Sequence, residues 1–541
     1  MMFSRANLSA ALQPLLALTD CKDRWVQITA AKEIYYGKWR NNKFKPKFSA
    51  QETWHQDIKN LVCNKSPFHK VTQRKRRCCP RRRRESTMID RRSGGEDRIS
   101  LLPDALLSQI LSTLSTKDAV KTSLLSTRWR SVWLSIPGLE LDDDDFPNCK
   151  SFVSFVDRFF LFSTESPIEK LKLASNKEKC NPLAVKSWVD AAVNRKIKHL
   201  EIDFSKRDLG FDLLSTEIFT SQTLVCLRLR YVALNDFSKV SLPRLKTMLL
   251  EEVRFLNGTA LESLIASCPV LEDLSVVTSR DDVKVLRVCS RTVNRLVVTS
   301  RDDVKVSRVW DGSDMEVVID APRLEFLSLE DYQSSSITIK NSLSSSAKVD
   351  IGVNFDVKDV LDSDDSVKRS SIGHFLANIS NVRDMTICSK TLKVIRQYCK
   401  LELLPQFCYM FQLHAKIASA DLEVLQVLLE SCPSLKSLVL ELSGSIKKKV
   451  EVSFSSRVPL CLRSCLERVE MRRPVYGVEV EMKVIKYFLE NSTVLKKLTL
   501  RLGCPRMKQE SVIFMELLRF RRCSMECEVD VVGLEETLMK L

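Results

Sequence analysis

The feature that most constrains this chain is a short apolar pattern, apolar-x-x-apolar-x-apolar, that keeps returning. It stands at IEKLKL (168–173), IKHLEI (197–202), LVCLRL (224–229), LKTMLL (245–250), LEDLSV (271–276), VNRLVV (293–298) and LEFLSL (324–329). It resumes at VRDMTI (382–387), LKSLVL (435–440), LERVEM (466–471) and LKKLTL (495–500). Successive starts lie 29, 27, 21, 26, 22, 31, 58, 53, 31 and 29 residues apart. The two long steps are close to double a unit, and AKVDIGV (347–353) and FQLHAKI (411–417) fit inside them as degenerate copies. Such a period belongs to a stacked solenoid. Each unit supplies a short strand whose alternate side chains point into a core, and one unit cannot bury that face alone. The stretches ALESLIASCPV (260–270) and DLEVLQVLLESCPS (421–434) would cover the other side as helix or loop. ASCPVLEDL and ESCPSLKSL are one helix-to-strand joint used twice, and VVTSRDDVKV occurs identically at 276–285 and 297–306. A duplicated unit favours stacking over a closed globule. The Ser-rich residues 333–346 and the polar, acidic residues 357–371 interrupt the rhythm, the latter as a surface loop.

A different pattern precedes the repeats. Residues 99–133 read as two or three short amphipathic helices folded into a hook. Pro103 suits a first helical turn, where its missing N–H costs nothing. Ala105, Leu106, Ile110, Leu111 and Leu114 lay an apolar stripe on one face. Thr116 is placed to cap a second helix, with Asp118 in its first turn and Ala119, Val120, Leu124 and Leu125 on its apolar side. Arg128, Trp129, Arg130 and Trp133 close the unit. A piece this short cannot bury enough surface by itself, so some of those leucines need a partner. After it, LELDDDDF carries Asp142 to Asp145 as a solvated acidic turn, and FVSFVDRFFLF (152–162) reads as an amphipathic helix.

LPDALLSQILSTL followed by KDAVKTSLLSTRWRSVW resembles the F-box, the adaptor-docking module of cullin–RING ubiquitin ligases, with Thr127 standing where that family has a basic residue. Residues 458–502 are similar to the FBD domain that follows leucine-rich repeats in a large plant F-box family. The residues that carry this second likeness are Val458-Pro459, Cys461-Leu462, Leu466 to Val469, Tyr476-Gly477, Glu481 and Tyr487 to Asn491; Met471 to Pro474 depart from the usual aromatic. The resemblance implies an α/β chain in four parts. These are a basic extension (1–95), a small all-α F-box (96–142), leucine-rich repeats (150–455) and an FBD domain (456–530). It also implies a non-catalytic substrate-recognition adaptor whose F-box docks a Skp-type protein, itself bound to a cullin carrying a RING subunit. The docking residues would be Leu102, Pro103, Leu106, Ile110, Leu111, Leu124 and Trp129.

The repeats would present an unknown target protein. In the repeated pattern the alternate positions face outward, among them Lys172, Glu201, Asp203, Glu470, Arg472 and Arg501. Arg228, Arg230, Glu251, Glu330 and Glu441 are the candidates for target contact. Mixed charge suits a protein partner, although for any one residue a merely solvated face is the simpler reading. Two other classes are compatible with the residues. One is an interaction scaffold without ligase assembly, which co-purification with a cullin discriminates. The other is a nuclear protein whose basic arm binds nucleic acid, with a salt dependence that vanishes on deleting residues 1–87.

Charge bears on that last reading. The chain of 541 residues carries a formal +17. Residues 1–95 hold 22 basic and 7 acidic side chains, a net +15, and the rest is nearly neutral. A general nucleic-acid surface is therefore not expected on the body. The run RKRRCCPRRRR (74–84) is either a solvated basic arm or an import signal, and localisation is expected in the nucleus, the cytoplasm or both. No apolar run approaches the ~18 residues of a membrane span. LSAALQPLLALTD is interrupted by Gln13 and Pro14 and lacks a clear cleavage site for a signal peptide. The 18 cysteines follow no framework, and many sit in leucine-rich stretches, as buried thiols do in a reducing compartment. His55, Cys63, His69, Cys78 and Cys79 are too loosely spaced for zinc, and no metal or cofactor is expected. No glycine-rich phosphate loop or catalytic signature is present, and the Cys461–Cys465 and Cys523–Cys527 pairs have no nearby histidine. Met88 opens MIDRRSGGEDRISLLPD, a natural start for this family. Mass spectrometry of the mature protein is expected to find its N-terminus there; an upstream N-terminus overturns that expectation.

Overall fold

A computed structural model describes Ile99 and residues 101–162, 168–176, 181–204, 216–234, 240–255, 259–278, 285–300, 315–331, 334–357, 361, 364–443, 454–475, 479–502 and 507–532. The chain divides into two units, 1–56 and 57–541, and every described residue lies in the second. The basic arm and its cysteines and histidines lie outside the described residues.

The repeats form a parallel sheet of 15 strands. In spatial order these are β1 (Gly138–Asp142), β2 (Lys170–Ser175), β3 (His199–Phe204), β4 (Cys226–Arg230), β6 (Thr247–Glu251), β8 (Asp273–Thr278), β10 (Arg295–Ser300), β12 (Phe326–Asp331) and β14 (Lys348–Val353), and then β15 (Asp384–Ile387), β16 (Gln412–Ala418), β17 (Ser437–Ser443), β18 (Arg468–Val475), β19 (Lys497–Leu502) and β20 (Glu528–Val532). Neighbouring strands are in register on their apolar positions. Leu171, Leu200, Leu227, Met248, Leu274, Leu296 and Leu327 lie side by side, and so do Leu173, Ile202, Leu229, Leu250, Val276, Val298 and Leu329. All of them are buried. The expected solenoid is what the chain forms, with both degenerate copies present as β14 and β16. The sheet also extends one strand beyond the copies read from the sequence at each end, into β1, where IPGLEL (136–141) fits the pattern as well, and β20.

The covering layer changes along the stack. Two helices serve at the start, α4 (Cys149–Phe162) and α5 (Pro182–Asn194), packed on each other. A helix of seven residues, α6 (Ala260–Ala266), follows. The middle repeats then use strands where a helix or loop was expected. β9 (Val285–Cys289), β11 (Met315–Asp320) and β13 (Ser334–Ile339) make a second parallel sheet. Their β-branched residues fit a pleated surface, and Val317 lies between Leu286 and Ile337, all buried. The Ser-rich stretch is therefore strand over 334–339, because Ile337 and Ile339 anchor it while Ser334 bonds locally to Asp331 and the Ser336 hydroxyl meets that of Ser371 at 3.3 Å. Part of the acidic stretch is helical too. Asp365 caps α7 (Ser366–Asn378) by accepting from Lys368 N at 2.9 Å, and Leu361 is buried. Helices return with α8 (Ser389–Tyr398), α9 (Glu423–Ser431), α10 (Leu460–Ser464), α11 (Glu479–Asn491) and α12 (Met507–Arg519).

Two short strands, β5 (Ala233–Leu234) and β7 (Arg254–Phe255), pair with each other beyond β4 and β6. The turns into them are the same: Tyr231 and Glu252 both take a left-handed backbone, with φ of 55° and 52°. Each keeps one more ladder bond, Tyr231 N to Glu251 O and Glu252 N to Val277 O, before the chain leaves the sheet. The cysteines at the repeated joints are structural. Cys268 donates to Leu264 O at 3.2 Å, burial pushes its thiol up to about 12, and burial raises the Cys432 thiol as well. Among the described residues the cysteines are free thiols.

Leu274 sits at the centre of one apolar row with no solvent exposure. Leu274→Ala should cost about 2–5 kcal/mol. Hydrogen exchange is expected to show protection lost first in β6, β8 and β10, and later in β18 and β19, because each unit is held only by its neighbours.

Candidate functional site

The hook is α1 (Asp104–Leu111), α2 (Thr116–Thr122) and α3 (Trp129–Val132), closed by a 3-10 turn at Trp133–Ser135. Pro103 is the N-cap of α1, one position before the first turn, and its carbonyl accepts from Leu107 N at 3.1 Å. Ser115 rather than Thr116 caps α2, accepting from Asp118 N at 3.2 Å. Thr116 is buried instead, and its hydroxyl accepts from Glu140 N at 2.7 Å, which fastens α2 to strand β1. Arg128 pairs with Asp104 at 2.8 Å and also donates to Leu102 O, closing α3 onto the start of α1.

The hook's own core is Leu107, Leu111, Ala119, Val120, Trp129 and Val132. Two residues expected to dock a partner, Leu111 and Trp129, are therefore interior, at 2% and 6% exposure. They shape the surface and do not form it. Leu106, Ile110 and Leu124 do form it, with Pro103 exposed and Leu102 half-buried. The same rim includes Ile99, Leu101, Leu114 and Leu125, which were not among the expected docking residues although all are apolar and exposed. Trp133 faces the other way. It lies against Phe155 and Phe159 of α4, with ring centroids 6.1 and 5.9 Å apart, and ties the hook to the repeats.

The acidic turn is not simply solvated. Asp143 is 1% exposed and accepts from Ser175 Oγ at 2.7 Å and Asn176 N at 2.9 Å. Asp142, Asp143 and Asp144 are the one close acidic cluster among the described residues, and the bonds of Asp143 to β2 account for its burial.

The outward side chains of the main sheet line up across strands. Glu201 lies between Lys172 at 2.6 Å and Arg228 at 3.9 Å. Arg230 lies between Asp203 at 3.2 Å and Glu251 at 3.1 Å. Glu441 holds His414 at 2.9 Å, and burial lowers the imidazole below its ordinary value against the pull of that carboxylate. Glu470 takes Arg501 at 3.1 Å and Arg472 at 3.6 Å. Of the five candidates for target contact, Arg228, Arg230 and Glu251 thus belong to cross-strand ion pairs, Glu441 is hydrogen-bonded to His414 across strands, and Glu330 stands exposed on β12. Such half-exposed pairs add little stability and chiefly neutralise the face.

Three family models match this geometry: an F-box domain over residues 99–140, the LRR repeats of "FBD-associated F-box protein At5g56370" over 185–351, and FBD over 455–500. "F-box/FBD/LRR-repeat protein At5g22660" of Arabidopsis thaliana is 49% identical over 443 residues, covering 82% of this chain and 98% of the relative. "FBD-associated F-box protein At5g22730" of the same plant is 43% identical over 443 residues, covering 81% and 94%. "F-box/LRR-repeat protein 13", also from that plant, is 39% identical over 455 residues, covering 83% and 99%.

The chain belongs to the F-box/FBD/LRR-repeat family. The F-box is the hook together with the strand it is bonded to, since its match reaches residue 140 and β1 begins at Gly138. The FBD is not a separate globule. Its matched residues hold α10, β18, α11 and β19, and both strands continue the repeat sheet from β17. Its buried Met482, Ile485, Phe488 and Leu489 face that common core.

The Thr116–Glu140 bond can be removed without changing side-chain shape. Thr116→Val should cost about 1–2 kcal/mol by stranding the Glu140 N–H. Proteolysis is expected to release the F-box earlier, with the cooperative melting of the repeats unchanged.

Proposed function

We propose that this protein is the substrate-recognition adaptor of a Skp–cullin–F-box ubiquitin ligase. The F-box docks a Skp-type adaptor, and the adaptor brings a cullin with its RING subunit. The outward face of the repeat sheet holds a target protein, and other subunits carry out the transfer of ubiquitin. The contribution of this chain is proximity: a target held beside a ubiquitin donor meets it intramolecularly, at a far higher effective concentration. Such a complex would act in the nucleus, the cytoplasm or both.

The observation that carries this reading is the rim of Leu106, Ile110, Leu114, Leu124 and Leu125. These side chains are 38% to 52% exposed on a three-helix unit whose interior is already filled. Apolar side chains concentrated on one small unit, and not used by its own core, suit a partner with an apolar surface.

Leu106→Ala, Ile110→Ala and Leu124→Ala combined should lower capture of the Skp-type adaptor at least tenfold. Each removes interface contacts, and together they exceed the ~1.4 kcal/mol that a factor of ten requires. The thermal midpoint is expected to hold, because exposed truncations cost little. Unchanged capture at native expression levels overturns the docking assignment.

A further inference from the structure

The residue just before a main-sheet strand adds one more rung to the ladder, and these lead-in residues line the edge where the strands start. On most of that row each lysine has a carboxylate on a neighbouring rung: Lys198 with Glu169 at 2.6 Å, Lys246 with Glu272 at 2.8 Å and Lys496 with Glu467 at 3.4 Å. The entries to β15, β16 and β17 depart from this. Arg383, Phe411 and Lys436 are successive rungs, since Phe411 N donates to Arg383 O at 2.9 Å and Lys436 N to Phe411 O at 3.0 Å. The Arg383 guanidinium lies 5.6 Å from the centroid of the Phe411 ring and the Lys436 ammonium 5.5 Å from it. A ring attracts a cation but carries no charge, so both positive charges stay uncompensated. The nearby carboxylates are taken, Asp384 by Lys348 at 3.5 Å and Glu467 by Lys496. Arg468, the first residue of β18, adds a third cation; its register neighbours are Ser437 and Lys497, and Lys497 is held by Asp530 at 3.1 Å. All three cations are exposed, and among the described residues none of them lies in an ion pair. The joint from α8 into β16 brings apolar surface to the same edge. Tyr409 and Leu403 are 61% and 93% exposed, while Leu404, Phe407 and Met410 of that joint are buried and hold it in place.

We infer that this edge docks an extended acidic segment of a partner protein, one that carries a carboxylate, a large apolar side chain and a second carboxylate at alternate positions. Strands lie about 4.8 Å apart, so Arg383 and Lys436 are roughly 10 Å apart with the ring between them. Alternate residues of an extended chain share a face at intervals of about 7 Å, which puts the two carboxylates about 13 Å apart. The Arg383 and Lys436 side chains are long enough to turn outward and make up the difference. The apolar side chain then settles between them, against Phe411 and Tyr409, and Arg468 adds to the positive field on the Lys436 side. A nucleic acid fits less well. Cations from both neighbouring rungs already lie over the Phe411 ring, where a base would have to stack, and exposed leucine suits a protein. The inference stands apart from the ligase reading, since the surface is at β15 to β18 and the F-box is attached at β1.

The test measures retention of the full-length protein on immobilised peptides of one composition and two orders. Glu-Ser-Leu-Ser-Glu puts its three large side chains on one face, and Ser-Glu-Leu-Glu-Ser puts the carboxylates opposite the leucine. The basic residues of 1–95 meet the same charge in both, so the comparison between orders cancels their contribution. The first order is expected to be retained at least about threefold better. Arg383→Gln, Lys436→Gln and Arg468→Gln combined should erase that preference with the thermal midpoint unchanged. Lys436→Gln alone should halve it, which keeps the test decisive should the triple variant not fold. Tyr409→Ser with Leu403→Ser should reduce the first order to the level of a peptide with Ser in place of Leu. Equal retention of the two orders, or a preference that survives the triple substitution, overturns the inference. So does a triple variant that loses retention on immobilised oligouridylate and keeps it on the peptide.

Discussion

Everything in this molecule depends on the register of a parallel sheet. Each strand contributes two inward side chains, and they are stabilised only because the next strand places its own two beside them. Leu200 has Leu171 on one side and Leu227 on the other, and the same holds step by step along the rows. A single unit has no interior. The alternation of strand side chains makes the arrangement all-or-none, since a slip of one residue would turn every leucine outward. It also explains why the covering layer can change from helix to strand and back. That layer has only to shield the rows, and either a helix or a second sheet of β-branched residues can do so.

The F-box leans on this scaffold. Its interior holds few large side chains, which is little for an independent unit. What holds it in place is the joint with the repeats, where Trp133 lies against two phenylalanines of α4 and Thr116 is bonded to the first strand. The buried Asp143 extends the same joint from β1 to β2. The acidic run after the hook is thus part of the coupling between the docking module and the solenoid. At the far end the FBD plays the converse part, with β18 and β19 extending the sheet and α10 and α11 covering it.

The main-sheet strands from 168 to 500 were legible because the repeated pattern demands apolar residues at fixed offsets. β20 was not, because Glu526 stands where the pattern has its leading apolar residue; β1 carries the whole pattern at IPGLEL (136–141) and was overlooked beside the hook. The second sheet escaped notice where Ser334 to Ser336 give strand residues the composition of a loop. In the hook the stripe was legible but its depth was not. Leu106 and Leu107 are adjacent in sequence and about 100° apart on a helix, which is enough to leave one in solvent and the other in the core. Helical spacing shows that a face is apolar and cannot show which edge of it the neighbouring helices cover. Trp129 is misleading for the same reason: a large aromatic beside exposed leucines reads as a contact residue when its ring fills the space between helices.

A solenoid separates its two tasks by counting strands. Strand β8 is five strand spacings from β1, where the F-box is attached, or roughly 25 Å along the sheet. Inserting a unit between them would move β8 by about 5 Å and leave every other register intact. The identical stretch at 276–285 and 297–306 is not such an insertion, because its copies are one residue out of register: Val276 lies beside Val298, so the same valine faces the core in one copy and away from it in the other. It begins at Val276 of β8 and again at Val297 of β10, each time running out of one main-sheet strand towards the next element of the stack. The half-buried valines Val277 and Val297 both come from these copies, but Val277 corresponds in sequence to the buried Val298 and Val297 to the buried Val276. The F-box end is tied to β1 and α4 by its joint, whereas the middle of the sheet can change by whole repeats without disturbing that joint.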